Sequence, residues 1–378
     1  MVRACARGTV RFQGHVLARA NPPMLARVST YLPQLRATVT AALRDATSDS
    51  PRARAAAAEA LADAKEEDKQ AACDALVKLA ADAEPNVRFT ALAALGRLAE
   101  ARTLDAILPR FDDEVGMVRE AAVIAAAQLR DPRALPRVRK ALADERPEVR
   151  FQAVISLAEL AGEDARVSLF PALADDDALV RANAAAALAT LEPDAPTADR
   201  LAKLLKDREP EVRLEAALAL ATYRDARAAT ELGRHLDHER AFDVIEAIAA
   251  IEAKERAGDL AKLARSFFKP LELKAAAAAA LAKMGDPRGV ALLRDIVRAF
   301  RSDGRTYVAE VIGALELVEM ADELVTLASR PRGADLAVVA SSLGALLPKK
   351  PELRATLELL AKRDDAAGEK ARLALSHG

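Results

Sequence analysis

DERPEVRFQAVISLAEL, residues 144–160, is the stretch on which the fold turns. Its second half places Ala153, Leu157 and Leu160 at the spacing of one helix face. Pro147 suits the first turn of that helix, where no N–H is needed and φ is already set. Glu148 follows it, beside the positive end of the helix dipole. Ahead of the helix, Asp144 marks a turn, and Arg150 opens the apolar face.

The same phrase recurs. Aligned on Arg150, the equivalent positions are Arg54, Arg88, Arg119, Arg181 and Arg213, at steps of 34, 31, 31, 31 and 32 residues along the chain. Val87, Val118, Val149, Val180 and Val212 precede five of these arginines. Asp82, Asp113, Asp144, Asp175 and Asp207 stand six residues before the same five, and Pro51, Pro85, Pro147 and Pro210 stand three before. A fixed period of this length is the signature of a repeat architecture. A second amphipathic segment falls between successive copies, as at 134–143 (ALPRVRKALA), 197–206 (TADRLAKLLK) and 290–300 (VALLRDIVRAF). The unit is therefore a helix–turn–helix hairpin. One hairpin cannot bury its own apolar face, but a stack of them makes a continuous core. The expected fold is all-α, an α-α superhelix (solenoid) of about ten such hairpins.

With Asp, Pro, Val and Arg in phase, the unit resembles a HEAT repeat of the bacterial, phycobilisome-lyase-like kind. DPRALPRVRKALADERPEVR (131–150) and GDPRGVALL (285–293) carry the likeness most clearly, which extends from about Thr47 to the C-terminus. The resemblance implies a polar ladder between successive repeats, formed by the turn Asp and the helix Arg at Asp82/Arg88, Asp113/Arg119, Asp144/Arg150, Asp175/Arg181 and Asp207/Arg213. It also implies that the second helix of each unit lines a concave face, and that a lyase or isomerase subunit acting on a chromophore is an alternative function.

Composition fits a solenoid. Hydrophobic residues make up 52% of the 378, aromatics only 3%, and Trp is absent, so Ala and Leu must supply the core. Strand-like alternation is missing. Residues 1–44 hold seven Arg and no Asp, Glu or Lys; with a net charge of −1 overall, the remainder carries about −8. Residues 1–23 are read as a basic, disordered leader, with Met24 an alternative start. Residues 24–64 should form N-terminal capping helices and the first repeat, kinked at Pro33. Regular repeats follow over 65–240 and divergent ones, with a closing cap, over 241–378. Past Asp237 the Val-Arg pair is replaced by Asp243-Val244, Leu273-Lys274, Tyr307-Val308 and Asp335-Leu336. The two cysteines, Cys5 and Cys73, form no metal-binding or disulfide pattern. A reducing, cytoplasmic setting is expected, with no membrane span and no cofactor.

Candidate sites follow from a helical wheel on the second helices. With the anchor Arg at position zero, offsets +1, +5 and +9 should point into the concavity. They carry Phe89, Ile124, Phe151, Ile155, Leu214, Leu218 and Ile245. An exposed apolar stripe marks a partner site, or else these side chains pack laterally between adjacent helices. The leading expectation is a non-catalytic scaffold binding a protein segment along this stripe. A basic row, Arg130, Arg133, Arg137 and Lys140, raises nucleic-acid binding as a further alternative, also through the Arg-rich N-terminus. It lacks stacking aromatics, so nucleic acid is not the expected partner. His235, His238 and Glu239 offer too few ligands for a metal site. No phosphate loop, nucleophile elbow or metalloprotease motif is present.

Overall fold

The computed structural model describes residues 38–299 and 304–377. The expected leader at 1–23, Met24 and the kink at Pro33 lie outside the described residues. Among the described residues every regular element is helical. Eleven second helices stand out: Pro51–Leu61, Pro85–Leu98, Gly116–Gln128, Pro147–Ala161, Ala178–Leu188, Pro210–Thr222, Ala241–Ala250, Leu271–Lys283, Arg305–Ala314, Leu336–Leu346 and Ala366–His377. Each is preceded by a first-helix segment, whose α-helical part is shorter than the second helix in every repeat except where the 12-residue Pro287–Arg298 precedes the 10-residue Arg305–Ala314. The molecule divides into two compact units between Glu215 and Ala216.

Local sequence sets the element ends. Pro51, Pro85 and Pro147 occupy the first turns of their helices. Asp177 caps its helix by accepting from the Leu179 and Val180 N–H groups. Pro109 and Pro171 do more than bend the first helices. Each segment breaks into a four-residue α turn followed by a 3-10 stretch, Leu104–Ile107 then Leu108–Asp112, and Arg166–Leu169 then Pro171–Ala174.

Within each unit, successive second helices pack side by side. In the first, Pro147–Ala161 lies between Gly116–Gln128 and Ala178–Leu188; in the second, Arg305–Ala314 lies between Leu271–Lys283 and Leu336–Leu346. Small residues allow the approach: Ala91, Ala122, Ala153 and Ala184, all at offset +3, are fully buried. Leu95, Leu157 and Leu188 at +7 fill the space between the two helix layers, each burial contributing about 1.5–3 kcal/mol.

Six of the second helices end alike. Ala99, Arg130, Arg224, Glu252, Gly285 and Glu316 all have positive φ. After the last four, the next N–H donates five residues back, from Asp225 to Leu220 and Ala253 to Ile248, then Asp286 to Leu281 and Leu317 to Ile312. This closure satisfies an orphan helix carbonyl. It also fixes the register, since the left-handed residue follows Arg88, Arg119 and Arg213 by eleven. Counting back eleven from Glu252 and Glu316 gives Ala241 and Arg305 as the true anchors, not Val244 and Val308. The expected register in those two repeats is thus corrected by three residues. Ala241–Ala250 has only ten residues and starts at its anchor, whereas Gly116–Gln128 and Pro147–Ala161, of 13 and 15 residues, start three residues before theirs.

Candidate functional site

The anchor arginines build the ladder rung by rung. Arg119 donates Nε and Nη2 to the Asp144 carboxylate at 2.7 and 2.8 Å. Arg54 does the same to Asp82, Arg150 to Asp175 and Arg181 to Asp207, at 2.6–2.9 Å. The third nitrogen, Nη1, reaches back to main-chain carbonyls of its own turn: Arg150 to Asp144 and Glu145, Arg213 to Asp207 and Arg208. Each rung is thus crossed. The Arg of one repeat takes the carboxylate of the next repeat's Asp, and meets its own repeat's Asp only through the backbone. Arg54 is a rung partner although its own turn lacks the Asp. Each Asp also accepts the N–H two residues on, as Asp144 does from Arg146 at 2.9 Å.

The Arg88–Asp113 rung differs. It has one direct bond, Nη2 to Oδ1 at 2.8 Å, and the buried Arg88 Nε finds no acceptor. Along the ladder the carboxylates are held below their ordinary range. At Asp82 the Arg54 hydrogen bond dominates; at Asp144 burial pushes up, but the Arg119 hydrogen bond and the Arg146 N–H outweigh it. Arg305 is a ladder-type arginine the Val-Arg pattern does not reveal. It is buried and donates to the carbonyls of Val297, Ala299 and Arg332.

The apolar stripe separates into two classes. Phe89, Ile124, Phe151, Ile155 and Leu218 are half-buried. Leu214 and Ile245 are buried, at 0% and 2% exposure, and neither can be a surface anchor. For Leu214 the reason is its offset of +1, on the flank where second helices meet. Ala182, also at +1, is buried too. For Ile245 the reason is the corrected register, which puts it at +4 with the buried Leu92, Val123 and Val154. Glu120 shares the +1 flank between Phe89 and Phe151. Burial pushes its carboxyl up, the nearby Glu148 charge adds to this, and Arg146 opposes it.

Offset −2 supplies what the stripe loses. Met117 is 40% exposed and Leu179 62% exposed, both in the first turn of their helices. At about 100° per residue, −2 falls at about 160°, between +5 at about 140° and +9 at about 180°, whereas +1 falls at about 100°. The solvent arc of the first unit is therefore −2, +2, +5 and +9, and it carries Met117, Ile124, Ile155 and Leu179. The helical wheel carries this signal in the sequence, in the turn before the anchor Arg.

The basic row is largely neutralised. Arg137 and Lys140 both pair with Asp112, and Arg133 with Asp131 and Asp105. Arg130 is not on the first helix at all; it is the left-handed residue closing Gly116–Gln128. His235 contacts Glu231 at 3.1 Å and stacks edge-on with His238. Among the described residues no group of three His, Cys, Asp or Glu is placed to hold a metal, and no helix is long and apolar enough to cross a membrane.

The family model described as HEAT repeats matches residues 37–127, 112–189 and 167–252, together more than half of the chain. The chain belongs to the HEAT-repeat family. A further match, to the PBS lyase HEAT-like repeat, covers residues 273–298 of this HEAT-repeat protein. No curated protein sequence matches it significantly. Among solved structures, the E. coli YibA protein aligns at a TM-score of 0.53 and 20% identity, over 66% of this chain and 93% of YibA. Kap121p bound to Pho4p aligns at 0.60 and 15% identity, over 85% of this chain and 46% of Kap121p. The CpcE–CpcF complex of phycocyanin lyase from a Nostoc species aligns at 0.40 and 20% identity, over 70% of this chain and 99% of the matched one. Identities this low speak to fold alone. The HEAT solenoid is a fold compatible with a protein-interaction scaffold.

Proposed function

We propose that this HEAT-repeat protein is a non-catalytic scaffold that binds a partner protein segment along the solvent arc of the second helices in its first unit. The observation that carries the reading is the exposure of Met117 and Leu179 on the same arc as Ile124 and Ile155. Exposed Met117 and Leu179, two repeats apart, with half-buried Ile124 and Ile155 between them, favour an apolar partner face, either a helix or an extended segment. The ladder edge beside them exposes Glu114 and Glu145, so a segment with Lys or Arg at one end suits the site best. Kap121p, an aligned HEAT-type structure, is seen with Pho4p bound, a precedent for a protein partner on this architecture.

The test is comparative affinity capture from the native host. Met117→Asp/Leu179→Asp is compared with wild type and with Val167→Asp, a 73% exposed control on the first-helix layer. All three should melt within a few degrees of one another, because Leu179 and Val167 are mostly in water and Met117 is only partly covered. Loss of a central anchor costs at least about 2 kcal/mol, a factor of roughly thirty in Kd. A partner retained by wild type and Val167→Asp but lost by the double variant supports the proposal. Equal capture by all three refutes it.

A further inference from the structure

The first-to-second turn before helix Leu271–Lys283 holds the most exposed aromatic residues among those described. Phe267 and Phe268 are 90% and 93% exposed, in a chain with only nine Phe. Their rings meet edge to face, centroids 5.6 Å apart, so the pair projects as one apolar knob. Phe268 occupies the place that the ladder Asp holds in the first unit, six residues before the anchor Lys274.

The charge around the knob is also reversed. In the first unit the corresponding turns are acidic, with Asp112, Asp113 and Glu114, then Asp144 and Glu145, then Asp175, Asp176 and Asp177. In the second unit Arg265 and Lys269 flank the phenylalanines. The turn before Leu336–Leu346, two repeats on along the same edge, adds Arg330 and Arg332. Lys269 is paired with Asp237 at 2.7 Å. Arg265, Arg330 and Arg332 are exposed, and among the described residues no carboxylate lies in ion-pair contact with any of them.

We infer that this edge of the second unit docks on an anionic membrane surface, the Phe pair entering the headgroup boundary and the free arginines facing anionic lipid. The chemistry fits on both counts. Aromatic side chains partition to the bilayer interface, and clustered basic residues are attracted to acidic headgroups. The shape favours a bilayer over a folded partner. A projecting knob needs a matching pocket on a protein, whereas a lipid interface accepts it with no preformed shape. The surface is separate from the second-helix arc of the first unit, so neither proposal depends on the other.

The experiment is co-sedimentation of the full chain with vesicles of phosphatidylcholine alone or phosphatidylcholine with phosphatidylserine. Wild type should pellet with the serine-containing vesicles at low salt, be released at high salt, and ignore phosphatidylcholine alone. Phe267→Ser/Phe268→Ser should weaken binding at least about tenfold, and Arg265→Gln/Arg330→Gln/Arg332→Gln should weaken it similarly and flatten the salt dependence. Unchanged circular-dichroism melts would show that both variants fold. Because the chain has no Trp, Phe268→Trp supplies a single indole, excited apart from the three Tyr, whose emission should shift blue on anionic vesicles. No pelleting by wild type, full binding by the Phe variant, or an unshifted Trp emission overturns the proposal. So does a soluble protein whose capture requires the Phe pair while vesicles are ignored, which would make the knob a protein contact.

Discussion

Asp144→Ala tests the ladder at its best-formed rung. The substitution removes both acceptors of Arg119 Nε and Nη2 and the acceptor of the Arg146 N–H. Stripping one partner from a buried ion pair costs about 3–5 kcal/mol. Two features hold the loss near the lower end. Glu145 stays 2.8 Å from Arg119 Nη2, and the two side chains keep 9% and 11% of their surface in water. The orphaned N–H adds about 0.5–1.5 kcal/mol. The expected total is about 3.5–4.5 kcal/mol, against no measurable change for Asp74→Ala, whose pair with Arg102 is well exposed. In a stacked repeat protein this loss is local, because each hairpin is stabilised by its neighbours. Hydrogen exchange should therefore accelerate by about three orders of magnitude in Gly116–Gln128 and Pro147–Ala161, and little in Leu336–Leu346. The effect also has a pH signature. The Asp144 carboxyl is held below its ordinary value. Its stabilisation is thus complete above the unfolded carboxylate value of about 3.9 and lost as pH falls through the folded value. The gap between wild type and variant should be constant from neutral pH to about 5 and close only below about 4. An exchange change under about tenfold, or one spread evenly over all repeats, would refute the reasoning.

Two further predictions concern packing. Gly289 lies where a Cβ would stand 2.2 Å from Ala282 N and 2.7 Å from Ala278 O. Gly289→Ala is expected to cost about 1–3 kcal/mol and lower the thermal midpoint, while Gly258→Ala, with open space around it, should stabilise by about 0.4–1 kcal/mol. Leu214→Asp and Ile245→Asp should each destabilise by at least about 3 kcal/mol in urea unfolding, because both side chains are buried; native-like midpoints would restore them as surface anchors.

Repeat period and core phase were legible because both are one-dimensional. An Arg every thirty-odd residues, with Ala at +3 and Leu at +7, needs no knowledge of neighbours to announce a stacked helical hairpin. The family resemblance also marked Asp82, Asp113, Asp144, Asp175 and Asp207 as ladder residues. It did not say that each carboxylate serves the preceding repeat's Arg, since that depends on how far one hairpin is translated against the next. Packing likewise decided the fate of the apolar stripe. Leu214 and Phe151 share offset +1, yet one is buried and the other half-exposed, because the flank of a second helix is covered by whatever its neighbour places there. Ile245 entered the core because Ala241–Ala250 starts at its anchor, and the left-handed Glu252, not the start of the pattern, keeps that repeat in step. Chain order and periodicity thus determined which helices form and which faces turn inward. Only the tertiary structure decided which side chains stay in water, because exposure at a helix flank belongs to a pair of repeats and not to either one alone.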